Sequence, residues 1–161
     1  MHMRLKRLAV AVCLLLGLAV AGAAAVSAED LFTRSKAGTF EDVKFDLTNA
    51  IVERGLVIDH TGYIGRMLER TGADVGSTKP LYRNAEYMVF CSAKLSREMM
   101  EADLANIGFC PYVIFIYERA EKPGEIVVGF RQPPAHGSAA SQKALAAVAA
   151  LLKDIVAAAV K

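Results

Sequence analysis

Two β-strands joined by a short helix are predicted in Glu86–Glu118 (EYMVFCSAKLSREMMEADLANIGFCPYVIFIYE), and this unit constrains the fold most strongly. Tyr112–Tyr117 is the strongest strand signal in the chain, because every residue in it is aromatic or β-branched. The lack of alternation along this strand predicts that both of its faces are buried. Cys91 ends the first strand and Cys110 immediately precedes the second, so the two thiols mark the two ends of the connection.

The relative direction of these two strands decides what the cysteines can do. If the strands are antiparallel neighbours, the end of the first lies beside the start of the second, and a Cys91–Cys110 disulfide is feasible. If they are parallel, strands of about six residues at about 3.3 Å each separate the cysteines by about 20 Å. A disulfide tolerates only roughly 4.4–6.8 Å between Cα atoms, so parallel strands exclude it.

Residues 1–28 have the composition of a secretory signal peptide. Arg4, Lys6 and Arg7 precede the apolar run Leu8–Val26, and small residues favour cleavage after Ala28. A retained membrane anchor is the alternative, because the run approaches the length of a spanning helix. We expect a periplasmic or secreted protein with no stable membrane span after cleavage.

Removing this segment changes the charge of the chain. The full sequence carries 19 basic and 17 acidic residues, and three of the basic residues lie in the leader. A nearly neutral mature chain offers no electrostatic basis for binding nucleic acid. The remaining residues 29–161 suffice for a single domain. An even pair of cysteines in an exported chain first indicates a disulfide.

The predicted elements alternate in the order β-α-β-α-β-α-β-β-α, which indicates an α+β domain with mixed connections. The predicted strands are Phe40–Phe45, Leu56–Asp59, Tyr87–Cys91, Tyr112–Tyr117 and Ile126–Phe130, and the predicted helices are Leu47–Arg54, Tyr63–Arg70, Arg97–Leu104 and Ala139–Lys161. Asp46 and Ser96 are the expected N-caps of the first and third helices, and Leu104 is expected to point inward. The last helix carries one apolar stripe and is expected to dock across the sheet: Leu145, Val148, Leu152, Ile155 and Ala159.

Three short motifs resemble the domain-of-unknown-function 302 family. They are a helix-ending glycine before a strand (Glu53-Arg54-Gly55-Leu56), a strand that opens with Cys110-Pro111-Tyr112 and runs to Tyr117-Glu118, and a hairpin that ends in Phe130-Arg131. The similarity covers Phe40–Pro133, the core of the mature chain. It implies a fold like that of the TATA-binding protein, with a mixed or antiparallel sheet, helices on one side, and a homodimer as an expected assembly.

The chain departs from the family pattern at both cysteines. Cys91-Ser92 stands where Asn-Pro is commoner, and Cys110-Pro111 stands where Leu-Pro is commoner. The chain therefore resembles a cysteine-bearing, exported branch that we associate with sulfur metabolism. The family has no established reaction, so the resemblance implies a fold and not a mechanism.

The cysteine pair has three interpretations at this point. The first is a structural disulfide in a small binding or accessory protein, with a ligand-binding groove beside it. The second is a thiol redox or sulfur-transfer pair, in which Ser92 and the following helix favour a Cys91 thiolate. The third is a Cu(I) site built from both cysteines with His60, Met99 or Met100, because soft metals prefer sulfur ligands.

The candidate ligand-binding residues are His60, Ser92, Met99, Tyr112 and Arg131. Four of them have a structural alternative: Met99 and Tyr112 suit the core, His60 suits a bond to local backbone, and Arg131 suits an ion pair with Glu118. The partner would be a small ligand or a periplasmic protein. No nucleophile elbow and no phosphate-binding glycine loop occurs in the sequence, so a conventional enzyme is not favoured.

Overall fold

The structure, a computed structural model, describes residues 30–161, so the predicted signal peptide lies outside the described residues. Five strands form one fully antiparallel sheet in the order β1-β5-β4-β3-β2. The strands are β1 (Leu31–Ala37), β2 (Ile58–Gly62), β3 (Tyr82–Phe90), β4 (Tyr112–Arg119) and β5 (Glu125–Arg131). The helices are α1 (Phe40–Val52), α2 (Ile64–Thr71), α3 (Ala93–Ala102) and α4 (Ala139–Ala159), with a 3-10 helix at Leu104–Phe109. The predicted α+β class is therefore confirmed.

The core lies between one face of the sheet and the helices. The sheet contributes Met88, Phe90, Ile114, Ile116, Ile126, Val128 and Phe130, all buried. The predicted stripe of α4 is also buried along its whole length, and α4 packs against α1 and α3. Within residues 30–161, no helix is both long enough and apolar enough to cross a membrane.

β4 is covered on one face only, so the prediction that both of its faces are buried is wrong. Tyr112, Ile114 and Ile116 are buried under the helices, whereas Val113 between them is 42% exposed. The residues on the outer face of β4 are also aromatic or β-branched, although no helix covers them. The sequence therefore lacks the alternation of apolar and polar residues that would have indicated a strand buried on one face.

The N-terminal part of the fold differs most from the prediction. The segment Phe40–Phe45 is the start of helix α1 and not a strand, because its buried residues follow helical spacing: Phe40, Val43, Leu47, Ala50 and Ile51. The N-cap is Thr39, whose hydroxyl accepts from the Asp42 N–H, while Asp46 lies within the helix and pairs with Lys36 at 2.8 Å. The first strand is β1, a mostly exposed edge strand.

The connection between β3 and β4 also differs in detail. Ser92, and not Ser96, caps α3, and its hydroxyl accepts from the Leu95 N–H. Leu104 is 82% exposed and begins the 3-10 helix, so it does not point inward. The buried residue of that turn is Asn106, whose side-chain nitrogen donates to the Met99 carbonyl at 2.7 Å.

Candidate functional site

The two cysteines lie at the same end of the sheet. β3 and β4 are antiparallel neighbours, with Phe90 opposite Tyr112 in the register. The Cys91 and Cys110 Sγ atoms are 3.0 Å apart, and both residues are free thiols in this structure. The arrangement that a bridge requires is therefore present, and the disulfide itself stays a prediction.

Ser96, which is not among the site residues predicted from the sequence, completes this cluster. Ser96 lies one turn into α3, and its Oγ is 3.5 Å from Cys110 Sγ and 3.1 Å from the Tyr112 hydroxyl. Its position one helical turn after Ser92 was the only signal that could have found it. Ser92 itself is engaged in the helix cap.

The environment of Cys91 favours the neutral thiol. The pKa of Cys91 is raised to about 11, mainly by burial and secondly by the hydrogen bond with the Cys110 thiol. Because the thiolate is the nucleophilic form, Cys91 is almost entirely unreactive thiol near pH 7. The expectation that Ser92 and the start of α3 favour a Cys91 thiolate is therefore wrong.

The structure does not group His60 with the two cysteines, as one of the copper sites expected from the sequence required. Met99 is fully buried in the core. His60 pairs with Val89 on the sheet face opposite the helices, where its ring lies 6.0 Å from that of Tyr87. Across residues 30–161, no three His, Cys, Asp or Glu side chains form a group that could hold a metal ion.

A cavity of about 430 Å³ opens beside the cysteine pair. It forms where β4 and β5 separate, because their ladder extends only from the Phe115–Gly129 pair to the Glu118–Ile126 pair. Its lining includes Pro111, Tyr112, Val113, Arg131, Val148 and Leu152. Two of the predicted ligand-binding residues, Tyr112 and Arg131, thus share one cavity.

The predicted ion pair between Arg131 and Glu118 is wrong. Glu118 lies opposite Ile126, at the other end of β5 from Arg131. Its carboxylate accepts from the Gly124 N–H at 2.9 Å and from the Asn84 side chain at 3.0 Å. The Gly124 N–H is the main cause that lowers the pKa of Glu118 below its usual value. Arg131 is exposed and forms no ion pair within the described residues.

The loop that follows β5 forms part of the same wall. Pro133 and Pro134 line the cavity. His136 packs against Phe109 with ring centroids 5.3 Å apart.

A second cavity, of about 520 Å³, lies among α1, α2 and the start of β3. Lys44 and Glu86 line it, and they form an ion pair at 2.8 Å that raises the pKa of Lys44. None of the site residues predicted from the sequence lines this cavity, and its cations and acids are mixed. The cavity beside the cysteines is therefore the better candidate site.

Comparison with known proteins agrees with the resemblance seen in the sequence. The model of the family described as "Domain of unknown function DUF302" matches residues 32–161. The chain belongs to the DUF302 family. The family match begins at the second residue of β1 and ends at the last residue of the chain, so it includes the edge strand and α4.

A solved structure shares the DUF302 fold. It is the crystal structure of an uncharacterized conserved DUF302 protein from Bacillus stearothermophilus, with a TM-score of 0.68 and 12% sequence identity. The match covers 83% of this chain and 100% of that chain. At this identity the likeness concerns the fold alone. No curated protein matches the chain.

Proposed function

We propose that this DUF302 protein is an exported small-molecule-binding protein in which a Cys91–Cys110 disulfide fixes one wall of the ligand cavity. The observation that carries the proposal is the position of Cys110, which directly precedes two cavity-lining residues, Pro111 and Tyr112. A covalent tie at this point would hold the start of β4 against the end of β3. The wall of the cavity would then be preorganised for its ligand.

The size and lining of the cavity support a binding role. A volume of about 430 Å³ falls within the roughly 300–1,000 Å³ of ligand pockets. Most of the lining is apolar, with Arg131 as its charged group among the described residues. Ligand sites of this kind combine an apolar wall with a few placed polar groups.

Three arguments support a disulfide at the cysteine pair. A disulfide bond is about 2.05 Å long, so sulfur atoms at 3.0 Å need to approach by about 1 Å. Export after the predicted signal peptide would bring the protein into an oxidising compartment. The raised pKa of the Cys91 thiol means that the thiolate is not stabilised, unlike in strongly oxidising dithiols.

The proposed export and disulfide are tested on protein recovered from the periplasm. Mass spectrometry should find a chain that begins at Glu29 and lacks two hydrogens relative to the dithiol form. A chain that retains residues 1–28 would contradict the proposed export. Free thiols that react without prior reductant, in unfolded material protected from reduction, would contradict the disulfide.

The binding role is tested by a thermal-shift screen of small molecules on the mature protein. A Val113→Trp variant should narrow the cavity from its exposed side, and Val57→Trp is the matched control at a 71% exposed position outside it. Compounds that bind in the cavity should stabilise the wild type and Val57→Trp, but not Val113→Trp. Equal stabilisation of all three proteins would place the binding elsewhere and contradict the proposal.

A thiol redox or sulfur-transfer role is the second candidate. The observation in its favour is the pair of free thiols at 3.0 Å, with the Ser96 hydroxyl beside Cys110. Equilibration with glutathione buffers separates the two roles. A reduction potential near about −180 mV would favour redox chemistry, whereas a potential below about −300 mV would favour the structural disulfide.

A further inference from the structure

We infer that the ligand of this cavity is an apolar carboxylate, whose acid group contacts Arg131 and whose tail lies in the gap where β4 and β5 separate. The inference rests on the proposed binding function and specifies its ligand class. It combines two independent features of the cavity: an apolar floor and one unmatched positive charge in its lining.

The floor is formed by the helix layer. Val148 and Leu152 of α4 lie at the base of the cavity and are almost completely buried, at 0% and 3% exposure, so they close it but offer little surface to a ligand. Pro111, which directly precedes β4, and Phe115, within β4, add apolar surface to the cavity. Each methylene group that moves from water onto such a surface increases affinity about fourfold.

The charge of the lining is one-sided. Arg131 ends β5 and is exposed, and no acidic residue of the described chain lines this cavity. The arginines at the opposite end of the sheet differ, because Arg83 lies near Glu118 and Arg119 pairs with Glu125 at 2.7 Å. A guanidinium group binds a carboxylate through two parallel hydrogen bonds, so an acid group is the natural complement of Arg131.

The same features argue against other ligand classes. A nucleotide or another polyanion would need more than the single cation that this lining provides. A fully apolar ligand would gain nothing from the guanidinium of Arg131, which is the charged group of the lining. At about 30 Å³ per heavy atom, the volume holds on the order of fourteen heavy atoms, which suits a medium-chain or aromatic monocarboxylate.

The test compares decanoate with 1-decanol, which has the same tail and no charge, by isothermal titration of the oxidised mature protein. Both ligands are kept below their aggregation concentrations. Arg131→Gln removes the positive charge from the cavity, and Arg70→Gln is the matched control, because Arg70 is exposed and lines neither cavity. Val113→Trp reports whether the ligand occupies the cavity.

We expect decanoate to bind at least about tenfold more tightly than 1-decanol, and Arg131→Gln to remove most of that difference. Arg70→Gln should leave it unchanged, and added salt should weaken decanoate more than 1-decanol. Val113→Trp should weaken both ligands, and melting curves confirm that each variant is folded.

Three results would overturn the inference, and they are distinguishable from failure of the binding role. If decanoate and 1-decanol bind with equal affinity, and Val113→Trp abolishes the binding of both, the cavity is an apolar binding site. The inference that its ligand is a carboxylate would then be refuted. Decanoate binding that Arg131→Gln does not weaken would also refute the assigned contact. Absence of binding by both ligands would refute the ligand class, and the thermal-shift screen would then decide the binding role on its own.

Discussion

Reduction of the proposed Cys91–Cys110 disulfide should lower stability by an amount that follows from the length of the loop it closes. The two cysteines are 19 positions apart, and the chain-entropy model gives about 3 kcal/mol for a loop of this length. The described domain has on the order of 130 residues and an unfolding entropy of about 2.1 cal/mol/K per residue. Dividing the loss of about 3 kcal/mol by the unfolding entropy of the whole domain gives a decrease in melting temperature of about 10 °C.

The assay is a pair of circular-dichroism melts of the oxidised mature protein, with and without excess reductant. Cys91→Ser is the control, because it cannot form the bridge and its melting temperature should not depend on reductant. An identical melting temperature for the wild type in both conditions would refute the stabilising bridge. An equal decrease in Cys91→Ser would show that the reductant acts elsewhere in the protein.

Three further predictions concern the cysteines and the sheet. In the reduced protein, alkylation of Cys91 by iodoacetamide should be slow near pH 7, and fast alkylation at neutral pH would contradict the raised pKa. The free energy of unfolding should also fall as the pH rises from about 9 to about 11, because the pKa of the folded thiol lies above that of the unfolded one. Because its folded pKa is lowered, Glu118 adds stability above the unfolded pKa of about 4.3, and this stability is lost as the pH falls through the folded pKa. In urea titrations, the free energy of unfolding of Glu118→Gln should therefore depend less on pH in the acid range than that of the wild type. An unchanged pH dependence would show that the carboxylate does not contribute. Gly129→Ala places a Cβ 2.5 Å from the Phe32 carbonyl oxygen and should lower the free energy of unfolding by about 1–3 kcal/mol in denaturant titrations. The control Gly108→Ala, whose Cβ meets nothing within 4 Å, should lower it much less. Similar losses for the two variants would contradict the close approach of β1 and β5.

The parts of the fold that were predictable carry a strong local pattern. The stripe of α4 repeats at helical spacing and is buried as expected, and β4 is rich in residues that favour strands. The edge strand β1 was missed because most of its side chains are exposed and therefore show no alternation. The start of α1 was mistaken for a strand because FEDVKF alternates weakly, although its apolar positions also fit a helix.

The candidate site was predictable only in part. The sequence placed both cysteines at strand ends, and the antiparallel register then brought them together. The cavity was not predictable, because it depends on where the β4–β5 ladder stops, and that is a tertiary feature. The same register explains why Arg131 lies too far along β5 to pair with Glu118.

The most direct test of the proposed ligand site is a titration of the oxidised, ¹⁵N-labelled mature protein with decanoate, followed by amide chemical shifts. The largest shifts should occur at Gly108, Val113 and Arg131 around the cavity beside the cysteines. Shifts centred on Lys44 and Glu86 in the second cavity, or no shifts at saturating decanoate, would contradict it.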